Sequence, residues 1–182
     1  MHRTVSTAQP AACSNRGVHD SPAVQYSSLG DGRPVDEDEL YRLYAYPAWL
    51  PGALSRCVVR GNVIASLDGA AAAEGKSGGL GGAGDQWLFA LQRELADVIV
   101  VGAGTARAEN YRGARMSAAQ RRRRQARGQD EVPQIALVTR TGEVGAEMAV
   151  FTDSEVPALV LTCAASVGTA QDRIGGTAEV LD

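Results

Sequence analysis

The second half of the chain alternates short unbroken apolar runs with amphipathic or polar stretches. "DVIVVG", "PQIALVT" and "PALVLT" are each strand-length and apolar on both faces, and "TAEVL" near the end predicts a fourth parallel strand. Strands of this kind belong in a parallel sheet covered by helices. Between them, "SAAQRRRRQAR" (117–127) and "TAQDRIG" predict surface helices. Upstream, "DQWLFALQRELAD" sets Leu88, Leu91 and Leu95 on one helical face, with Asp85 as its cap. "RCVVRGNVIASLDG" is β-branched and ends in Asp-Gly, so it predicts a strand running into a turn. Strand, helix and strand in that order make a βαβ unit. "DEDELYRLYAY" (36–46) predicts a short amphipathic helix capped by Asp36 or Asp38 and closed by Pro47 and Pro51. Residues 1–35 hold few large apolar side chains and predict a disordered N-terminal tail. Residues 36–182 then form one α/β domain, its ligands expected beyond the carboxyl ends of the strands.

Composition narrows the function classes. Formal net charge is −3, so the whole molecule has no general attraction to nucleic acid or anionic membrane. No apolar run reaches the roughly 18 residues a membrane helix needs. Cys13, Cys57 and Cys163 are too widely spaced for a disulfide framework or a CxxC zinc pair, which fits a reducing, cytoplasmic setting. Cys57 reads as a small buried apolar residue. Both histidines, His2 and His19, lie in the predicted tail. Histidine-activated nucleophiles and histidine-ligated metals are therefore excluded from the domain, and no metal is expected.

Two glycine-rich stretches call for a decision. "GAAAAEGKSGGLGG" (69–82) approaches the phosphate-binding loop of nucleotide triphosphatases. It has five residues between Gly69 and Gly75 where the motif needs four, and glycines follow Lys76-Ser77 where a helix should start. It reads instead as a flexible loop beside a ligand. "VGAGTARAEN" brings Gly102, Gly104 and Thr105 to a strand exit, but Arg107 stands where a dinucleotide fingerprint would have its third glycine. Polar residues cluster at three strand ends: Asn62, Ser66 and Asp68; Thr105, Glu109 and Asn110; Thr139 and Arg140. Each cluster alone is ordinary turn chemistry, whereas three on one sheet edge form a crevice. The arginines of residues 107–127 leave three readings open: a solvated helix face, a ligand phosphate met by Arg107, Arg112 or Arg115, or nucleic-acid binding. No aromatic interleaving supports the last of these.

"GNVIASLDGAAAAEGKSGGLGG", "LQRELADVIVVGAGTARAENYRGAR" and "VPQIALVTRTG" together resemble the pyrimidine reductases of riboflavin biosynthesis, a branch of the dihydrofolate reductase-like superfamily. The likeness runs from about Asn62 to Leu181 and is to the stand-alone form without a zinc deaminase domain. It implies a three-layer α/β fold with a largely parallel central sheet, NADPH as cofactor and a homodimer in the full-length family. It implies reduction of a phosphoribosylamino-uracil, or of a pterin or dihydrofolate-type substrate. Carried over by position, Asn62, Ala65, Thr105, Glu109 and Thr139 line the cofactor, with Gly79 in place of a family aromatic near it. Gly102 and Gly104 at the strand exit join the cofactor-binding set. Ser77 and Arg93 lie toward the substrate, and Arg115 is a looser match to a family arginine that meets the substrate phosphate. Ser66 joins the substrate-binding set, and Asp68 and Glu109 are the two candidate proton donors. Ala70 stands where the family often has a lysine for the sugar phosphate. The resemblance also implies further chain beyond Asp182, with a motif that cradles the cofactor phosphates, so the fold is expected to be incomplete at the C-terminus. An inactive fragment or non-catalytic nucleotide-binding module is the alternative.

Overall fold

A computed structural model describes residues 24–29, 31–46, 57–73 and 79–182 of the chain. Its centre is a four-stranded parallel sheet built from β3 (Val98–Gly102), β4 (Gln134–Val138), β5 (Leu159–Leu161) and β6 (Glu179–Leu181), in that spatial order. The registers Val100↔Ala136, Ala136↔Leu159 and Leu159↔Glu179 hold the strands side by side. All four are the apolar runs of the sequence, as burial between layers requires.

Helices follow the strands as crossovers. After β3 come α3 (Ala103–Ala108) and α4 (Ala118–Ala126), after β4 the short α5 (Ala149–Thr152), and after β5 a 3₁₀ turn (Ala164–Ser166) and α6 (Val167–Ile174). Ser117 caps α4 in a capping box with Gln120. The main core joins Val101, Ile135, Leu137 and Val160 of the sheet to Ala103, Ala106, Val150, Ala170 and Ile174 of the helices. By register, the other face of the sheet carries Val98, Val100, Val138 and Leu181, and all four are exposed.

A second, smaller core lies around α2 (Ala83–Leu95). Leu91 and Leu95 of α2 pack with Leu40 of α1 (Glu37–Tyr44), beside Tyr26, Tyr41 and Trp87. Asp36 caps α1 by accepting the Glu39 amide. A hairpin of β1 (Tyr26–Ser27) and β2 (Pro34–Val35) precedes it, and the Tyr26 hydroxyl donates to the Gly84 carbonyl at 2.9 Å. Part of the expected tail, residues 24–29 and 31–35, is thus folded, because aromatic contacts with Trp87 compensate for its polar composition. Residues 1–23 of that tail lie outside the described residues.

Four local expectations are corrected. Residues 57–66 form no strand, and the segment is instead tied to α1, where Arg60 donates to the Tyr44 carbonyl and sits over the Tyr44 and Tyr46 rings. Cys57 is exposed, because its segment never enters the sheet. α2 starts at Ala83 with Gly82 as N-cap, which places Asp85 inside the first turn, where its charge favours the helix dipole. The arginine helix is solvated only in part. Arg124 is fully buried and donates to the carbonyls of Glu94, Ala96 and Asp130 at 2.6–2.7 Å. Arg123 makes a two-pronged pair with the buried Glu94 carboxylate, and Arg121 does the same with Glu155.

Candidate active site

Gly102 ends β3 and is the N-cap of α3, so the chain turns from strand to helix within one residue. A Cβ added at Gly102 or Gly104 would meet nothing within 4 Å, so their backbone is open to an approaching group. Thr105 is exposed one turn into α3, and its carbonyl accepts the Glu109 amide at 2.9 Å. At the exit of β4, Thr139 is buried and its amide donates to the Leu161 carbonyl at 3.0 Å. At the exit of β5, the Thr162 amide donates to the Leu181 carbonyl at 2.9 Å, while its hydroxyl is buried without a hydrogen-bond partner. An orphaned buried hydroxyl at a strand exit is a polar group that finds no mate among the described residues. The Ser166 hydroxyl donates to the Arg140 carbonyl at 3.0 Å and, through its hydrogen bond to Cys163, holds that exposed thiol below the ordinary cysteine range.

Residues 109–116 form the next part of the site. Glu109 is half-buried at the end of α3, and Asn110 adopts the left-handed conformation at φ 49°, which turns the chain away from the helix. Tyr111 then meets Arg93 of α2. The guanidinium donates to the Tyr111 hydroxyl at 2.7 Å and lies between the rings of Phe89 and Tyr111, 5.3 Å from each centroid. Arg112 pairs with Asp153 at 3.0 Å, and Arg115 pairs with the other oxygen of the same carboxylate. Gly113 lies between them, and its amide donates to the Asp153 carbonyl at 3.1 Å. A Cβ on Gly113 would fall 2.6 Å from the Ser154 Cα, so only glycine permits this approach.

The remaining predicted residues lie on the segment 57–73. Asn62 accepts a long hydrogen bond from Gln92 at 3.4 Å, and Ala65 is exposed. Ser66 folds the turn on itself, its amide donating to the Ala70 carbonyl and its oxygen accepting the Ala70 amide, both at 2.9 Å. Its hydroxyl also donates to Asp68 and holds that carboxyl below the usual carboxylate range. Gly79 rests in ordinary contact with Ala73, at 3.4 Å from an added Cβ. Ser77 and Lys76 lie outside the described residues.

The structure thus brings Gly102, Gly104, Thr105, Glu109 and Thr139 to the carboxyl end of the sheet. It joins Arg93 and Arg115 to one loop, and leaves Asn62, Ala65, Ser66, Asp68 and Gly79 on a segment that is not part of the sheet. Sequence reasoning passed over Tyr111, Asp153 and Thr162. Tyr111 follows the Glu-Asn pair directly and had a positional signal. Asp153 is 38 residues from Arg115 and had none.

An open cleft of about 430 Å³ lies at the opposite, amino-terminal end of β4 and β5, lined by Arg121, Asp130, Glu131, Gln134 and Glu155. Arg121 pairs there with Glu131 and Glu155. Among the described residues no group of three or more metal-ligating side chains forms, and no helix is long and apolar enough to cross a membrane.

The parallel sheet and its helical crossovers are those of a dihydrofolate reductase-like α/β domain. The model of the RibD C-terminal domain family matches residues 58–178, and the chain belongs to that family of reductases. It is similar to a pyrimidine reductase-like protein from Corynebacterium diphtheriae, known from its crystal structure. The TM-score is 0.53 and the identity 25%, over 65% of this chain and 52% of that one. The chain thus matches about half the length of that protein. No curated protein matches it by sequence. The β1–β2 hairpin and α1 lie before the family match begins.

Proposed function

We propose that this chain is an NADPH-dependent reductase acting on a phosphoribosylamino-uracil, with a pterin-type compound as the second substrate class. The observation that carries the reading is the row of strand exits at the carboxyl end of a parallel sheet, in a chain of this reductase family. Open backbone at Gly102 and Gly104, exposed Thr105, buried Thr139 and the unpartnered Thr162 hydroxyl stand at three adjacent strand exits. Such an edge fits an extended dinucleotide, whose phosphates need close backbone approach and whose sugars need hydroxyl partners.

When bound, the cofactor supplies the reducing hydride. This chain's residues position and protonate. Gly102 and Gly104 admit the ligand, and Thr105, Thr139 and Thr162 hydrogen-bond to it. Arg93, fixed by Tyr111, and Arg115 orient the substrate. Glu109 is the preferred proton donor of the two candidates, because it lies on the helix that leaves β3, whereas Asp68 lies on a segment outside the sheet. The reading includes a homodimer, supported by the exposed valines on one face of the sheet, and a reducing cytoplasmic setting, which the exposed thiols Cys57 and Cys163 fit. It does not include nucleic acid, since Arg121, Arg123, Arg124 and Arg127 bind acceptors within the protein.

A non-catalytic nucleotide-binding module is the second reading. It is favoured by the separation of the Ser66–Asp68 turn from the sheet. NADPH titration followed by fluorescence, combined with absorbance of NADPH during incubation with either substrate, decides between them. Binding with oxidation supports the reductase, and binding without oxidation supports the module.

A further inference from the structure

We infer that Arg60 is a positioning residue. It fastens the segment bearing Asn62, Ser66 and Asp68 to the end of α1, so the N-terminal elements set where that part of the site lies. The anchor stands on contacts within the protein, and only its bearing on cofactor binding rests on the reductase reading. Residues 57–70 join no strand, and among them only Arg60, Ile64 and Ser66 are half-buried while the others are exposed. Ser66 bonds within its own turn, to Asp68 and Ala70, which shapes the turn without tying it to another element. Ile64 only touches the glycines before α2, its Cδ1 lying 3.5 Å from an added Cβ on Gly81. The hydrogen bond between Asn62 and Gln92 is long at 3.4 Å. Arg60 thus makes the firmest tie of this segment among the described residues.

The tie has two parts. The guanidinium donates to the Tyr44 carbonyl at 2.5 Å. Tyr44 is the last residue of α1, so this carbonyl has no acceptor role within the helix, and the helix dipole favours a cation there. The same guanidinium lies over the rings of Tyr44 and Tyr46, 5.3 and 4.9 Å from their centroids, which is within cation–π range. A charge-assisted hydrogen bond and two ring faces together fix its orientation. The base of the anchor is firm. Leu40 of α1 is buried with Leu91 and Leu95 of α2, and the Tyr41 hydroxyl donates to the buried Glu94 carboxylate at 2.8 Å. Tyr44 and Tyr46 precede the residues matched by the family model, whereas Arg60 and the turn lie within them. A part of the family domain is therefore held in place by chain that the family match does not include. Asn62 is next but one to Arg60, so releasing the arginine frees it first.

Hydrogen–deuterium exchange on the full chain, with NADPH titrated in parallel, is the test. Arg60→Gln removes the charge and speeds exchange of the hydrogen-bonded Ser66, Gly69 and Ala70 amides about threefold or more, while β4 and β5 keep their native rates. Arg60→Lys keeps a cation over the rings and restores much of the protection. Tyr46→Leu lies outside the segment yet speeds the same amides, and combining it with Arg60→Gln adds little, because both remove one contact. Native exchange of these amides in Arg60→Gln, or additive effects of the two substitutions, overturns the anchor. Faster exchange spread through β4 and β5 also overturns it, since that marks general destabilisation. The affinity for NADPH falls about fivefold or more in Arg60→Gln and recovers in Arg60→Lys. Faster exchange with native NADPH affinity overturns the positioning role. A native chain that binds no NADPH overturns the reductase reading and with it the bearing of Arg60 on the cofactor, while exchange still decides the anchor.

Discussion

Arg124 is the most constrained side chain of the molecule. Its guanidinium is fully buried and gives donors to Glu94, Ala96 and Asp130 carbonyls, closing the C-terminal end of α2, where a cation is favoured by the helix dipole. Arg124→Met keeps volume but leaves those carbonyls unmated, and the expected loss is about 3–5 kcal/mol in urea unfolding. Glu94 beside it is buried too, and Arg123 and the Tyr41 hydroxyl hold its carboxyl below the ordinary range against the opposing effect of burial. A carboxyl lowered by folding adds stability above its unfolded pKa of about 4.3, and that contribution is lost as pH falls through the folded value. Glu94→Gln is therefore destabilising at neutral pH and has a flatter stability–pH curve through the acid range, measured by urea unfolding at stepped pH. The run "RRRR" gave no local sign of this network. Its partners on α1 and α2 are roughly 30 to 80 residues away in sequence, and only tertiary packing assigns each arginine its acceptor.

Among elements, β3 to β5 were legible as short apolar runs, and α4 as the polar stretch between two of them. The segment 57–66 was not, since a strand forms only beside a partner edge, and its valines say nothing of whether that edge is reached. The β1–β2 hairpin was hidden because two-residue pairings carry no period, and its support, Tyr26 against Trp87, is a contact between distant residues. The site was legible at strand exits, where turn chemistry marks position. It was not legible where Asp153 crosses from another element. Gly113→Ala must push the 112–115 loop off Ser154, and a loss of about 1–3 kcal/mol is expected in thermal or urea unfolding. Gly104→Ala has open space and gains about 0.5–1 kcal/mol from helix propensity. If Gly104 admits the cofactor, the same variant binds NADPH more weakly. Higher stability with lower affinity separates a binding role from a folding role.

At the scale of the whole molecule, one sheet face is packed by helices and the other presents Val98, Val100, Val138 and Leu181. Exposed strand surface of this kind promotes association. Light scattering is expected to show concentration-dependent assembly that Val100→Lys reduces. Cofactor-dependent reduction at the carboxyl end of the sheet is the activity proposed for this member of the family. Titration of NADPH into the full chain, followed by its absorbance with the phosphoribosylamino-uracil present, tests that claim most directly. The account predicts saturable binding and substrate-dependent loss of NADPH absorbance, both diminished in Thr139→Val. Absence of NADPH binding at millimolar concentration would contradict it.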